Sequence, residues 1–518
     1  MRKTNKLMAG VLMALISVAG INAQTPYSCD GCVDLAERDT VYLSSLADAN
    51  GNLTAGHTLL TCNNLYILDR KIYVSAGDTL TILPGVVVKA TYNGELNSTA
   101  LIVTRDAKIF AEGSECCPII FTTVEDPLDG TFPIYTKERW GGIIILGRAH
   151  NTIAINELNP EAPEFTIGAT TAGVGFIEGV DAGDPRHYYG SEIDLGEPFN
   201  NEDNSGTLRY VSIRHGGSEL GTANEINGLT LGSVGSGTTL EYIEVVSNGD
   251  DGIEFFGGAA NVKHVRVLYC EDDYIDYDQG FTGKIQYVLG VQRPAAAPGA
   301  TALGDNGFEC DGDDGDDFVR LWLSDPTISN ATIIGNDGPS SGDNALELKE
   351  RTKGKIYNSI FVKFNKGINL ANPSEDTVII RNCTFVNMNT DISGTFVTGF
   401  DPSQASWNNS FVDSVAGMTA NVWDEIWDAL PTVTGSAYDV NADDDWFDAV
   451  NYRGAYKPGT SNPWWGMKYC PGVSSVRADA GENLSSYFAI TDLNGDGITN
   501  AADLGILIGN YGLRNDEL

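Results

Sequence analysis

Positive charge is scarce in this chain. Its 518 residues hold 32 Lys and Arg against 70 Asp and Glu, a formal net charge of −38. A surface that acidic repels nucleic-acid phosphate and anionic lipid, so neither is expected as a partner. Histidine is scarcer still. His57, His150, His187, His215 and His264 are the whole complement and form no cluster, which removes the usual ligands of zinc and the usual base of a triad. Long apolar runs are missing after residue 19, so no transmembrane segment is expected. The one early run, Leu7 to Ala19, is too short to span a bilayer comfortably. It follows Arg2, Lys3 and Lys6 and precedes Ala23, a small residue suited to cleavage. That order predicts a signal peptide over residues 1–23 and a secreted protein, extracellular or at the cell surface.

Nine cysteines are few for so long an exported chain, and their odd number leaves at least one unpaired. Cys29 and Cys32 have the spacing of half a zinc site or a redox pair. No second pair, nearby His or βαβ context completes either, so a small N-terminal disulfide loop is expected.

What the chain has in quantity is glycine, Asn, Asp, Val and Ile, the composition of short strands broken by turns. A repeat organises them. DDGIEF at 250–255, DDYIDY at 272–277, DNGFEC at 305–310, DNALEL at 343–348 and NKGINL at 365–370 share one polar–apolar pattern. Glu254 to Asp276 and Glu347 to Asn369 are steps of 22 residues; the two middle steps of 33 and 38 carry insertions at 294–304 and 311–325. A unit of that size, with two or three strands and no helical period, buries its apolar face only by coiling on its neighbours. The expected fold is all-β, a right-handed parallel β-helix of about 22 residues per rung. Ile253, Ile275, Phe308, Leu346 and Ile368 then form one inward column, and Phe255, Tyr277, Cys310, Leu348 and Leu370 a second. A β-propeller needs about 40–50 residues per blade and does not fit.

The expected organisation is an irregular lead-in over 24–70, the β-helix over 71–400 with an acidic insertion at 150–205, and a Trp/Tyr-rich segment over 401–470 that seals the open end. A linker at 471–486 and a small helical module at 487–518 follow. Within the last, DLNGDGITNAAD at 492–503 places oxygen ligands at the positions a calcium loop requires: Asp492, Asn494, Asp496, the Ile498 carbonyl, Asn500 and Asp503, with Gly497 at the bend. Calcium is the expected cofactor.

The repeat also stacks carboxylates. Glu254, Asp276, Glu309 and Glu347 fall in one outward column, and Asp250, Asp272, Asp305 and Asp343 in another, flanked by Asp251, Asp273, Asn306 and Asn344. Two carboxylates one rung apart repel by about 1 kcal/mol in water and roughly 3–4 at an effective dielectric near 20. Such a ladder calls for a cation, bound protons or hydrogen-bond donors. Asp311 and Asp313 open an insertion that adds further acids. Glu254, Asp276, Glu309, Glu347, Asp311 and Asp313 are therefore the candidate cation or glycan site. For the Asp250 column the plainer alternative is strand-end turn chemistry, in which Asp and Asn bond their own backbone two residues on. Paired carboxylates also suit a glycosidase, and Lys349, Arg351 and Lys353 offer a lyase base, with surface pairing to Glu347 or Glu350 as their ordinary role.

Five stretches resemble a largely uncharacterised family of exported, Bacteroidota-type bacterial β-helices of the pectin-lyase-like kind: LIVTRDAKI at 101–109, WGGIIILG at 140–147, LRYVSIRHGG at 208–217, GDDGIEFFGG at 249–258 and DYDQGFTGKIQ at 276–286. The resemblance implies the fold and an exterior location and carries no catalytic residue. The loop at 492–503 resembles a single dockerin type I repeat. Dockerins usually carry two, so a cohesin partner is not expected. The sequence thus points to a secreted, calcium-binding β-helix acting as a surface, matrix or glycan-binding protein, with extracellular polysaccharide or cell-surface components as partners. The alternative is a polysaccharide lyase or glycoside hydrolase using the carboxylates of 250–317.

Overall fold

Residues of the repeat alternate between apolar and polar, so each short strand turns one side inward and one outward. In the computed structural model the inward sides meet in a continuous core between two long parallel sheets, one of ten strands and one of seventeen. Residues 32–455 are described, apart from 95–97, 116, 129–130, 154–172, 178–182, 219–225, 294, 296–303, 313–322, 337–342, 372–377, 395–400 and 415–436. Among the described residues there is no α-helix, and no helix is long and apolar enough to cross a membrane.

The ten-stranded sheet carries the repeat. Its register pairs Ile253 with Ile275, Ile275 with Phe308, Phe308 with Leu346 and Leu346 with Ile368. The companion column runs Phe255, Tyr277, Cys310, Leu348, Leu370, and both columns are buried, as the spacing predicts.

From residue 206 on, the wider sheet carries one backbone feature repeated on successive turns. Tyr210, Tyr242, His264, Tyr287 and Asn330 sit mid-strand with φ between 51° and 65°. One left-handed residue breaks each strand into two arms. On later turns Asn358 and Asn382 do the same between separate short strands. Asn and His are found in this conformation more often than most residues, whereas Tyr is strained in it. The aromatic members recover part of that cost by stacking: Tyr210 on Tyr242 at 4.4 Å, Tyr242 on His264 at 4.3 Å and His264 on Tyr287 at 4.8 Å between ring centroids.

Three expectations need correction. The coil begins before residue 71. Asp39–Tyr42, His57–Leu60 and Asn64–Leu68 are already parallel strands in register with the turns that follow, and Leu43 and Leu53 join the core. Cys32 bonds Cys62 rather than Cys29, tying the entering chain to the first turns. Residues 437–455, the described part of the Trp/Tyr-rich segment beyond 414, lie along the flank of the coil and not across its end. Left-handed asparagines turn their amides outward, and this segment receives them: Asn358 Nδ2 donates to the Tyr438 carbonyl (2.9 Å) and Asn330 Nδ2 to that of Tyr452 (3.2 Å). Tyr438 stacks on Tyr357, and Lys263 pairs with Asp448. The signal peptide, the remaining cap residues, the linker and the C-terminal module lie outside the described residues.

Candidate functional site

One outward column runs the length of the ten-stranded sheet, and its chemistry changes halfway. In register it reads Tyr73, Ile102, Ile144, Thr230, Glu254, Asp276, Glu309, Glu347, Asn369, Ser393. Open apolar side chains on the first half would face water. Part of the 150–205 insertion covers them: Val174–Phe176 and Tyr188–Gly190 form an antiparallel hairpin packed on Ile102, Ile144 and Leu146. The Tyr189 ring lies over Gly232, where a Cβ would come within 2.7 Å of it, and its hydroxyl donates to Gln279 Oε1 (2.7 Å). The hairpin ends there, beside Phe256, and the acidic half of the column begins at the next position.

Glu254, Asp276, Glu309 and Glu347 are half-buried. What each meets depends on the residue three positions earlier. Asn344 Nδ2 donates to Glu347 Oε2 (2.9 Å) and Asn306 Nδ2 to Glu309 Oε2 (3.3 Å). Asn227, one turn back, donates to Glu254. Asp251 and Asp273 occupy the same inner column but carry no amide. They are buried and bond along the coil: Asp251 Oδ1 accepts from the Asp273 N–H (2.9 Å), and Asp273 Oδ1 from the Asn306 N–H (2.6 Å). This column therefore ties each turn to the next.

Asp251, Glu254 and Asp276 bring one carboxylate oxygen each to within 4.8 Å of one another, and Asp250, Asp251 and Asp272 do the same at the adjoining corner. Asp276 Oδ1 is shielded from solvent and has no hydrogen-bond partner. Burial, then neighbouring carboxylates, pushes Asp251, Glu254 and Asp276 well above the usual carboxylate range. Asp273 is pushed up by burial and by its hydrogen bond with Glu309. Burial opposes the ionisation of Glu309, but Asp273 and the Lys349 ammonium hold it below its ordinary value.

Lys349 belongs to the next outward column, with Phe256, Asp278 and Asp311. It pairs with Glu309 and, at 3.4 Å, with Asp311 Oδ2, not with Glu347 or Glu350 as expected. Register places them together: Lys349 and Asp311 are directly paired on adjacent turns. Asp311 is itself pushed up to about 8 by burial, with Lys349 opposing and Glu309 reinforcing the shift. The acidic half thus has two parts, a Lys-balanced part at Glu309 and Asp311 and an acid-only part at Asp251, Glu254 and Asp276. Asp251 and Asp273, which the repeat places beside the ladder, belong to this site, and the Asn-to-Asp change three residues before each acid is their signal in the sequence. Asp313 and the loop from Asp492 to Asp503 lie outside the described residues.

A family model described as a pectate-lyase-like β-helix domain matches residues 51–176 and 189–428, well over half of the chain. No curated protein matches it.

Proposed function

The chain belongs to the family of pectate-lyase-like β-helix domains, a polysaccharide-related family, and from that premise we propose a secreted protein that binds extracellular polysaccharide through calcium. Calcium sits among Asp251, Glu254 and Asp276 and offers its remaining coordination positions to oxygens of a glycan lying along the acidic half of the sheet. One observation carries the reading: three carboxylates within 4.8 Å of one another, with an Asp276 oxygen that no donor reaches. A hard divalent cation that takes 6–8 oxygens fits that donor set. On the rungs of Glu309 and Glu347 the amides of Asn306 and Asn344 reach the acids, whereas Asp276 has Asp273 in that place. A further calcium at Asp492, Asn494, Asp496, Ile498, Asn500 and Asp503, and export itself, rest on the sequence.

A polysaccharide lyase or hydrolase is the second reading, and Lys349 on the ladder is the observation in its favour. A lyase base must be neutral near its working pH. Burial works against the charge of Lys349, but Asp311 and Glu309 override it and hold the ammonium above the ordinary lysine value. Direct pairing also leaves no sugar-sized gap between cation and carboxylates. Binding without cleavage is therefore favoured. Retention of the protein on acidic and neutral polysaccharide gels, with calcium and with a chelator, tests it. Calcium-dependent retention without product release supports the reading; retention unaffected by Asp276→Asn or by chelator refutes it.

A further inference from the structure

Asp343 lies three rungs from Asp251 along the coil, at the entrance to strand Asn344–Lys349, and is the most thoroughly enclosed acid of its column. Its exposure is 1%, and both carboxylate oxygens are shielded from solvent without a hydrogen-bond partner. Among the described residues no Lys or Arg forms an ion pair with it. Leaving a buried ionised carboxylate with neither oxygen bonded costs several kcal/mol or more. The nearest donors, the Asn365 N–H and the Gln292 side chain, favour its ionised form without reaching hydrogen-bond geometry. Gln292 Oε1 accepts from the Asn336 backbone and side chain (3.0 Å each), and Gln292 Nε2 donates to the Asp305 carbonyl (3.0 Å). Asn344 Nδ2 donates to Asn306 Oδ1 and Glu347. The Tyr274 hydroxyl donates to the Val291 carbonyl (2.8 Å).

A second carboxylate faces the same corner. Asp305 stands one rung away in the Asp343 column, about 4.8 Å along the coil, since Phe308 pairs with Leu346. Its charge is the largest influence on Asp343 after burial. A like charge beside an enclosed carboxylate makes its ionisation costlier; Lys349 and Lys366 offset part of the charge of Asp305, and no cation does so for Asp343 among the causes of its shift.

We propose that Asp343 and Asp305 hold a divalent cation, calcium, at this corner, in a site separate from the one at Asp276. Asp343 offers both oxygens and Asp305 at least one, with water completing the shell. Calcium accepts a bidentate carboxylate and irregular geometry, whereas magnesium demands a near-ideal octahedron and keeps its water. Such an ion ties the Phe308 turn to the Asn344 turn.

Equilibrium dialysis of the full-length protein against calcium tests this, comparing it with Asp343→Asn, Asp276→Asn and the double variant. The expected result is one calcium fewer per chain for Asp343→Asn, a different one lost in Asp276→Asn, and both lost in the double variant. Unchanged stoichiometry in Asp343→Asn overturns the proposal and identifies a buried neutral acid. Loss in Asp343→Asn alone sustains it even if the Asp276 site fails. If Asp343→Asn does not fold, Asp305→Asn, at a less enclosed position, is expected to weaken that site about tenfold or more; unchanged affinity overturns the proposal. Infrared spectra of the calcium-saturated protein give an independent arm: a protonated carboxylic-acid band that Asp305→Asn shifts also overturns it.

Discussion

Asp273 and Asn306 occupy successive places in one column and differ only in whether the side chain ends in oxygen or an amide nitrogen. The amide of Asn306 satisfies Glu309, while Asp273 adds a carboxyl to a crowded site. That difference has a thermodynamic consequence. Asp251, Glu254, Asp273, Asp276 and Glu347 are raised above their ordinary values, and Asp311 and Asp343 reach about 8, through burial first. A raised carboxyl keeps its proton in the folded state after the unfolded chain has released it. The folded state then binds more protons, so stability is full below about pH 4 and falls as pH rises towards 8. Glu309, being depressed, contributes the opposite slope. Calcium-free protein is therefore expected to melt at progressively lower temperature between pH 5 and pH 8, and calcium to flatten that slope. The double substitution Asp251→Asn with Asp273→Asn replaces two acids by amides of the same shape. In chelator at pH 7 it is expected to stabilise the protein by on the order of 1–3 kcal/mol, measured by urea unfolding. A less stable double variant would count against the electrostatic account.

At the scale of strands and turns, what the sequence made legible is what burial enforces. Inward positions of the ten-stranded sheet must be apolar on every turn, so Ile253, Ile275, Phe308, Leu346 and Ile368 announce themselves by spacing. The outward carboxylate column followed from the same register. The left-handed bend was not legible, because Tyr is a poor residue for that conformation and only its stacking across turns makes the choice intelligible. Nor was the hairpin over Ile102 and Ile144, since its short strands carry no repeat. The early turns at 39–68 escaped notice for a similar reason: they precede the shared DDGIEF-like pattern. Tyr242 lies inside the aromatic stack and loses two ring contacts if truncated. Tyr242→Ala is expected to cost about 1–3 kcal/mol beyond its buried area, and Tyr242→Phe much less, by thermal or urea unfolding.

Over the whole molecule, acidic charge and stacked architecture act together. Net charge of −38 opposes compaction, while each turn gains its core only from its neighbours. The ends of such a coil are its weakest parts, and Cys32–Cys62 closes a sequence separation of 30 residues at the first of them. Replacing Cys32 by Ser is expected to cost about 2–4 kcal/mol, seen as early loss of amide protection over the 39–68 strands in hydrogen exchange. Protection there equal to that of the intact protein would show that packing alone holds the first turns. Cations at the acidic half would act on the later turns, adding about 2.7 kcal/mol when free calcium is one hundred times the dissociation constant.

The central claim is that the acid-only part of the ladder binds a divalent cation, and calorimetric titration of the full-length protein and of Asp276→Asn with calcium tests it most directly. Comparing the two cancels any binding by the Asp492–Asp503 loop. The account predicts a binding event in the unaltered protein that is absent from Asp276→Asn while the remaining events persist. Identical titrations would contradict it and leave the ladder as a set of protonated and amide-bonded acids that join one turn to the next.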